Sequence, residues 1–267
     1  MRVLITGASR GIGAAVARTF AQRWGGEAQI GLLARSATRP IHDELTGTLL
    51  DTMREVHALG GMAVPLEVDM RDGRALQEAI RKVLHTLGGL DVLVNNAGAL
   101  ATAAHPSLKQ LDVLHAVNTR APLICLAETR DALEASEGAV VSISPPVRTG
   151  RLEWIRAHPA YTISKYGMTL ATLGAASDRV RANCLWPRRT IATSATALLE
   201  RTEQIPDAYT RGRPVDVFAG AVCDLATRRD LNARTLLDEE LVQYADSSAP
   251  WDAFVDSAQV LSHERTW

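Results

Sequence analysis

The sequence predicts an α/β protein, a doubly wound parallel sheet folded as a single domain. Three observations carry that reading. Seven short runs, at 3–5, 28–33, 63–68, 90–94, 139–143, 180–185 and 235–237, are almost wholly apolar. Stretches of helix length with three- and four-residue apolar spacing separate them, and a glycine-bearing turn follows the first run at once. Parallel strands covered on both faces read apolar at every position, because neither face meets water, and each needs a crossover helix to reach the next.

The elements justify themselves in order. The first run opens onto Gly7 and then a helical stretch through Ala14, Ala15, Val16, Ala17 and Phe20. The second ends at Ala34 and Arg35, the third at Asp69, the fourth at Asn95-Asn96-Ala97-Gly98. The fifth ends at Ser144-Pro145-Pro146, and the helix that follows begins near Tyr161. The sixth meets Trp186-Pro187. No repeat, linker or low-complexity tract interrupts the series, so 1–240 is read as one domain. Acidic and small polar residues surround Trp251, Phe254 and Trp267 in the remaining tail, 241–267, which is read as a lid or a subunit contact.

Composition narrows the function. A chain of 267 residues can bury a substantial core in one domain. Its net charge of -1 lacks the basic field that nucleic acid or an anionic membrane requires, and both are set aside as partners. Cys125, Cys184 and Cys223 lie far apart with no His or Cys at ligand spacing, so neither a disulfide framework nor a metal site is expected. The opening apolar run is too brief for a signal segment or a membrane span, and a cytoplasmic location is the expectation.

The turn after the first strand reads Thr6-Gly7-Ala8-Ser9-Arg10-Gly11-Ile12-Gly13. Between a strand and a new helix, such a loop is the context of a dinucleotide site, and the fold becomes a Rossmann-type one. Its glycines let the backbone approach a pyrophosphate, and the helix start supplies unpaired N–H groups and the positive end of a dipole. Gly7, Ser9, Arg10, Gly11, Ile12 and Gly13 are the expected contacts. An NAD site needs a carboxylate at the end of the second strand, but Leu33-Ala34-Arg35 carries a guanidinium there. Arg35, with Arg10, suits a 2′-phosphate, and NADP is the expected cofactor. The alternative is that both arginines are solvated surface residues.

Tyr161 and Lys165 are four residues apart at the start of a helix, which places their β-carbons about 5 to 6 Å apart on one face. A phenol of pKa about 10 needs help to work as an acid–base group at neutral pH. An ammonium about 4 Å away, at an effective dielectric near 20, is worth roughly 4 kcal/mol, or up to about three pKa units, enough to bring Tyr161 near neutrality. The structural alternative is a tyrosine that only packs against the sheet.

With Asp69, Asn95-Asn96-Ala97-Gly98 and Asn118, these motifs resemble those of the short-chain dehydrogenase/reductase family over residues 1 to about 240. The runs Val117-Asn118-Thr119-Arg120, Ile143-Ser144-Pro145-Pro146, Ala160 to Met168 and Leu185-Trp186-Pro187 are similar to the hydroxysteroid dehydrogenase-like subgroup. The resemblance implies that Tyr161 is the general acid or base and that Lys165 also holds the nicotinamide ribose. It implies that Asn95, Ala97 and Gly98 line the cofactor site, that Asp69 meets the adenine, and that Pro187 and Thr193 lie on the nicotinamide side, Thr193 after an apparent one-residue insertion. Asn118 would bind a water linking Lys165 to solvent; from its own residue type it reads equally as a cap or a satisfied core amide. A homodimer or homotetramer packed through 108–135 and 161–176 is also implied.

The family's pattern breaks at the fifth strand. Pro145 stands where most members carry a serine that hydrogen-bonds the substrate oxygen, and Ser144 lies one residue early. Either the two prolines turn Ser144 inward to donate to the carbonyl, or that donor is lost at about 10² to 10³ in rate. The segment 147–159, with Arg148, Arg151, Trp154, Arg156 and His158, reads as a substrate-pocket wall or as a surface loop, and Arg188 stands where many relatives have glycine. The leading expectation is an NADP(H)-dependent reductase or dehydrogenase acting on a small-molecule carbonyl or alcohol. The alternative is an NADP(H)-binding sensor or assembly subunit with little turnover.

Overall fold

The structure is a computed structural model that describes residues 1–40, 43–101, 105–145, 152–202 and 204–241. The chain begins with β1 (Arg2–Thr6), α1 (Gly11–Trp24), β2 (Gln29–Ala34), α2 (Leu49–Ala58), β3 (Met62–Glu67) and α3 (Gly73–Leu87). Next come β4 (Val92–Asn95), α4 (Leu108–His115), a π turn over Ala116–Arg120, α5 (Ala121–Ser136) and β5 (Ala139–Ile143). The last third holds α6 (Leu152–Ala157), α7 (Pro159–Gly174), β6 (Arg181–Trp186), β7 (Ile191–Ala192), α8 (Ser194–Arg201), β8 (Arg213–Pro214), α9 (Val215–Thr227) and β9 (Thr235–Leu237).

Seven strands form one parallel sheet in the order β3-β2-β1-β4-β5-β6-β9, and each coincides with one of the apolar runs. The chain winds outward from β1 in one direction and from β4 in the other, so the crevice where winding reverses opens at the carboxyl ends of those two strands. The apolar character of the strands has the expected cause. Val3, Leu4 and Ile5 of β1 alternate in direction, and all are fully buried: Val3 and Ile5 under α1, α2 and α9, Leu4 under α3 and α5. Phe20 of α1 and Phe218 of α9 are also fully buried in the first of these layers, a transfer worth about 1.5 to 3 kcal/mol each.

Three features lie beyond the sequence reading. β7 and β8 form a separate two-residue parallel pair, too short to leave a periodic signal. The helix over 108–135 is broken by the π turn, and α6 occupies part of the inserted segment 147–159. Residues 146–151, the side chain of Trp154 and the tail beyond Leu241 lie outside the described residues. Among the described residues no helix is long and apolar enough to cross a membrane.

Candidate active site

The glycine loop is pinned at the crevice by the backbone. The N–H groups of Gly7 and Ala8 both donate to Leu33 O, at 2.7 and 3.2 Å, which ties the loop to the end of β2. Gly7 has φ +69°, and a β-carbon there would stand 2.9 Å from Ala97 Cα; one on Gly13 would stand 2.4 Å from Gly7 O. Two of the loop's glycines are thus dictated by close approach of the chain to itself. The start of α1 differs from those of α2, α3, α4 and α8, which are capped by Thr48, Asp72, Ser107 and Thr193. It has no side-chain cap and no acidic residue in its first turn, so its N–H groups and dipole remain available to an anion.

Arg10 and Arg35 face the same region. Burial and then the nearby charge of Arg35 push the Arg10 guanidinium below its ordinary value. Among the described residues neither forms an ion pair. Asp69, expected at the adenine, has its carboxylate taken by Arg71, whose backbone N–H, Nε and Nη2 all donate to it, Nη2 at 2.6 Å. Those hydrogen bonds hold Asp69 below the usual carboxylate range. Thr193 lies directly over the loop, its Cγ2 3.5 Å from where a β-carbon on Gly11 would be.

Beyond β4 the structure gives Asn96 a part the sequence reading missed. Its Nδ2 donates to Thr6 O at 2.8 Å and Gly7 O at 3.1 Å, while Thr6 Oγ1 accepts the N–H groups of Asn96 and Ala97 at 3.1 Å each. Asn95 is buried beneath, donating to Ser142 Oγ at 3.3 Å, with its Oδ1 lacking a partner. Gly98 then reaches the reacting centre: a β-carbon there would lie 3.5 Å from Lys165 Nζ and 3.7 Å from Asn118 Oδ1.

Asn118 is fully buried in the π turn. Its Oδ1 accepts Ala99 N–H at 2.8 Å, and its Nδ2 donates to Ala99 O and Ser164 Oγ, each at 2.9 Å. Thr119 Oγ1 donates to Ser164 O at 2.9 Å, and a β-carbon on Gly167 would stand 2.7 Å from Thr119, so the turn and α7 are locked together. Tyr161 and Lys165 occupy successive turns of α7. Lys165 is 4% exposed; its Nζ donates to Ile143 O at 2.8 Å and lies 5.7 Å from the centroid of the Trp186 ring.

The geometry bears on two of the expectations. The ammonium was expected to draw the phenol toward neutrality, but burial pushes the Tyr161 phenol above its ordinary value. Burial likewise pushes Lys165 down to about 8, so the cation itself is costly where it stands. For Ser144 two outcomes stood open, a donor turned inward to a substrate carbonyl or the loss of that donor. The chain leaves β5 through a tight turn in which Ser144 N–H donates to Ser142 O at 3.0 Å, and Ser144 is fully buried. Its hydroxyl accepts from Thr169 Oγ1 at 3.0 Å and has no exposed surface in this structure.

Buried Pro187 and the residues after it are held from the far end of the sheet. Asp238, just past β9 and 1% exposed, accepts Arg188 N–H at 3.0 Å and pairs with Arg213 at 3.0 Å, without the alignment of a hydrogen bond. Glu239 pairs with both Arg213 and Arg188. Burial pushes the Asp238 carboxyl above the usual range in spite of Arg213. No periodicity joins residues some 50 positions apart, so sequence reading had no access to this network. Among the described residues no three His, Cys, Asp or Glu side chains gather as metal ligands.

Comparison with known proteins agrees with this geometry. Residues 1–204 match the family model described as short chain dehydrogenase. The chain is 35% identical over 248 residues to hydroxysteroid dehydrogenase-like protein 2 of Homo sapiens, covering 90% of this chain and 57% of that one. Against the protein of that name from Rattus norvegicus it is 34% identical and covers 45%. The chain thus spans about half the length of the curated relatives it matches. A putative dehydrogenase from Xanthomonas campestris superposes with a TM-score of 0.82 at 31% identity, covering 93% of this chain and 90% of the other. A metagenomic short-chain oxidoreductase in complex with NADP gives 0.68 at 28%, covering 89% and 96%. The chain belongs to the short-chain dehydrogenase/reductase family, a family of nicotinamide-dependent oxidoreductases.

Proposed function

We propose that the protein is an NADP(H)-dependent oxidoreductase that interconverts a carbonyl and an alcohol. The observation that carries this most strongly is the convergence of Lys165, Asn118 and Gly98 at the crevice that the glycine loop closes. The uncapped start of α1 receives the pyrophosphate, and Arg10 with Arg35 takes the 2′-phosphate, which accounts for two arginines with no ion pair. Ser9, Ile12, Ala97, Pro187 and Thr193 complete the cofactor's walls, and the Asp69–Arg71 pair borders the adenine. The solved NADP complex among the structural relatives supports that preference.

A bound nicotinamide supplies or accepts the hydride. The chain's own work is proton handling and positioning. Tyr161 holds the proton exchanged with the substrate oxygen, and its raised pKa keeps it protonated, ready for reduction, until cofactor and Lys165 lower the cost of giving the proton up. Lys165 holds the ribose hydroxyls. Asn118 shapes the turn beneath, and Ser144 fixes the end of β5 against Thr169.

The buried hydroxyl of Ser144 favours a second reading, a cofactor-binding subunit with little turnover, since Pro145 takes the place of the family's usual serine and the Ser144 hydroxyl is bonded to Thr169. Purified protein supplied with NADPH and a broad panel of carbonyls decides between them. The enzyme reading expects NADPH consumption with at least one carbonyl; tight NADPH binding without consumption by any of them favours the second. Assembly as a homodimer or homotetramer through α4, α5 and α7 fits the exposed Leu108, Leu123, Ile163 and Leu170. The three free cysteines fit a reducing, cytoplasmic setting.

A further inference from the structure

Lys165 is the one buried lysine of a chain that has only three, and among the described residues no carboxylate accompanies it. Its ammonium donates to Ile143 O at 2.8 Å and stands 4.0 Å from Met168 Sδ. A single carbonyl and a thioether are a poor substitute for water around a full charge. The remaining flank is the indole of Trp186, whose ring centroid lies 5.7 Å from Nζ. That is within the range at which the negative face of an aromatic ring attracts a cation, and the attraction grows as water is excluded.

We propose that Trp186 is a positioning residue that keeps Lys165 protonated: the π-face at the end of β6 replaces the counter-ion that this buried amine lacks. The surroundings leave few other candidates. From β6, the thiol of Cys184 is the titratable group that faces Lys165, and burial pushes that thiol above its ordinary value, which disfavours the thiolate as a counter-ion. From α7 the phenol of Tyr161 is pushed up in the same way. The π turn contributes the Asn118 amide, and the β5 end contributes the Ile143 carbonyl and the Ser144 hydroxyl, none of them charged. Without the ring, the neutral amine is favoured, and both the ribose contacts and the support given to the phenol weaken. That consequence rests on the catalytic reading of Lys165, whereas the protonation of the amine does not.

The experiment therefore reads protonation directly and without cofactor. The lysine ε-carbons of isotopically labelled protein are titrated by NMR; only Lys82, Lys109 and Lys165 contribute, and the first two are exposed. Lys165→Met assigns the third signal. The expected midpoint for Lys165 is about 8, well below the other two. In Trp186→Leu it should fall by about half to one pH unit, the equivalent of one partly desolvated cation–π contact. Replacement of all tryptophans by 5-fluorotryptophan keeps the indole's volume and thins its π-face, so it should produce a smaller fall even if the leucine variant does not fold. A midpoint that stays put or rises in both overturns the proposal, a rise meaning that the ring serves only as a cover. Wild-type protein that consumes no NADPH with any carbonyl, while the titration behaves as expected, would refute the catalytic reading and leave this one standing.

Discussion

Asn118 Nδ2 donates to Ser164 Oγ at 2.9 Å, and Ser164 Oγ donates in turn to Tyr161 O at 2.8 Å, joining the π turn to the helix that carries Tyr161 and Lys165. The residue before Lys165 is thereby fixed from outside its own helix. Asn118 makes these bonds from within the π turn, an irregularity of a kind found often at functional sites.

Asn118→Leu removes partners from Ser164 Oγ and from both backbone groups of Ala99, all of them partly or fully buried. Unsatisfied buried groups cost about 1 to 3 kcal/mol each, and because they share one site the expected total is about 3 kcal/mol. Urea unfolding monitored by circular dichroism measures it. Loss of less than about 1 kcal/mol would mean that the asparagine is not the strut described.

Arg35→Asp should weaken NADPH binding by about ten- to a hundredfold, the effect of losing one charge-assisted contact and adding a repulsion, while NADH binding stays within about threefold. Fluorescence titration with each nucleotide gives both constants. Equal weakening of the two would show that Arg35 does not meet the 2′-phosphate.

Lys165 imposes a pH dependence on stability with a definite sign. Its folded pKa, about 8, is below the ordinary 10.5, so between those values the unfolded chain holds a proton that the folded one has released. Unfolding then takes up protons, and stability rises with pH through that window; below about 8 the full cost of the buried ammonium is present. Lys165→Met should therefore be at its most favourable relative to the wild type near neutral pH. Its advantage should shrink by up to about 3 kcal/mol on approaching the upper limit of the window. Denaturant unfolding of both proteins across that range tests the slope, and parallel curves would contradict it.

Asp238→Ala leaves Arg188 N–H without its acceptor and Arg213 with Glu239 alone. An expected loss of about 2 to 3 kcal/mol follows, because a buried charge is left with half its partners. NADPH and NADH should weaken together, since the network holds the loop after Pro187 and touches neither arginine of the phosphate site. Asp238→Asn, which keeps the acceptor oxygen, should lose less in both readouts. A selective loss of NADPH would show that the network acts elsewhere.

How far the sequence revealed all this depends on the range of each signal. The inner strands were legible because a strand buried on both faces must be apolar at every position, the half-exposed edge strand β3 because it is apolar from Met62 to Leu66, and the glycine loop because Gly7 and Gly13 admit no side chain. Tyr161 and Lys165 were legible because one helix turn fixes their spacing. Ser144 was not, since its direction depends on a tight turn closed by a backbone bond to Ser142. Nor was Trp186 over Lys165 or Asp238 under Arg188, where segments about 20 or 50 residues apart along the chain are brought together only by the tertiary fold. The π turn left no mark because Val117, Asn118 and Thr119 sit in an otherwise ordinary helical spacing.

Hydride transfer assisted by Tyr161 is the central claim, and transfer of isotope tests it most directly. NADPH carrying deuterium at the nicotinamide C4 is incubated with wild-type protein and the carbonyl panel, and the alcohol formed is analysed by mass spectrometry. Deuterium should appear on the carbinol carbon, and Tyr161→Phe should slow its appearance by about 10² to 10⁴ while NADPH still binds. Deuterium that never reaches carbon, or that reaches it as fast in Tyr161→Phe as in the wild type, would contradict the account.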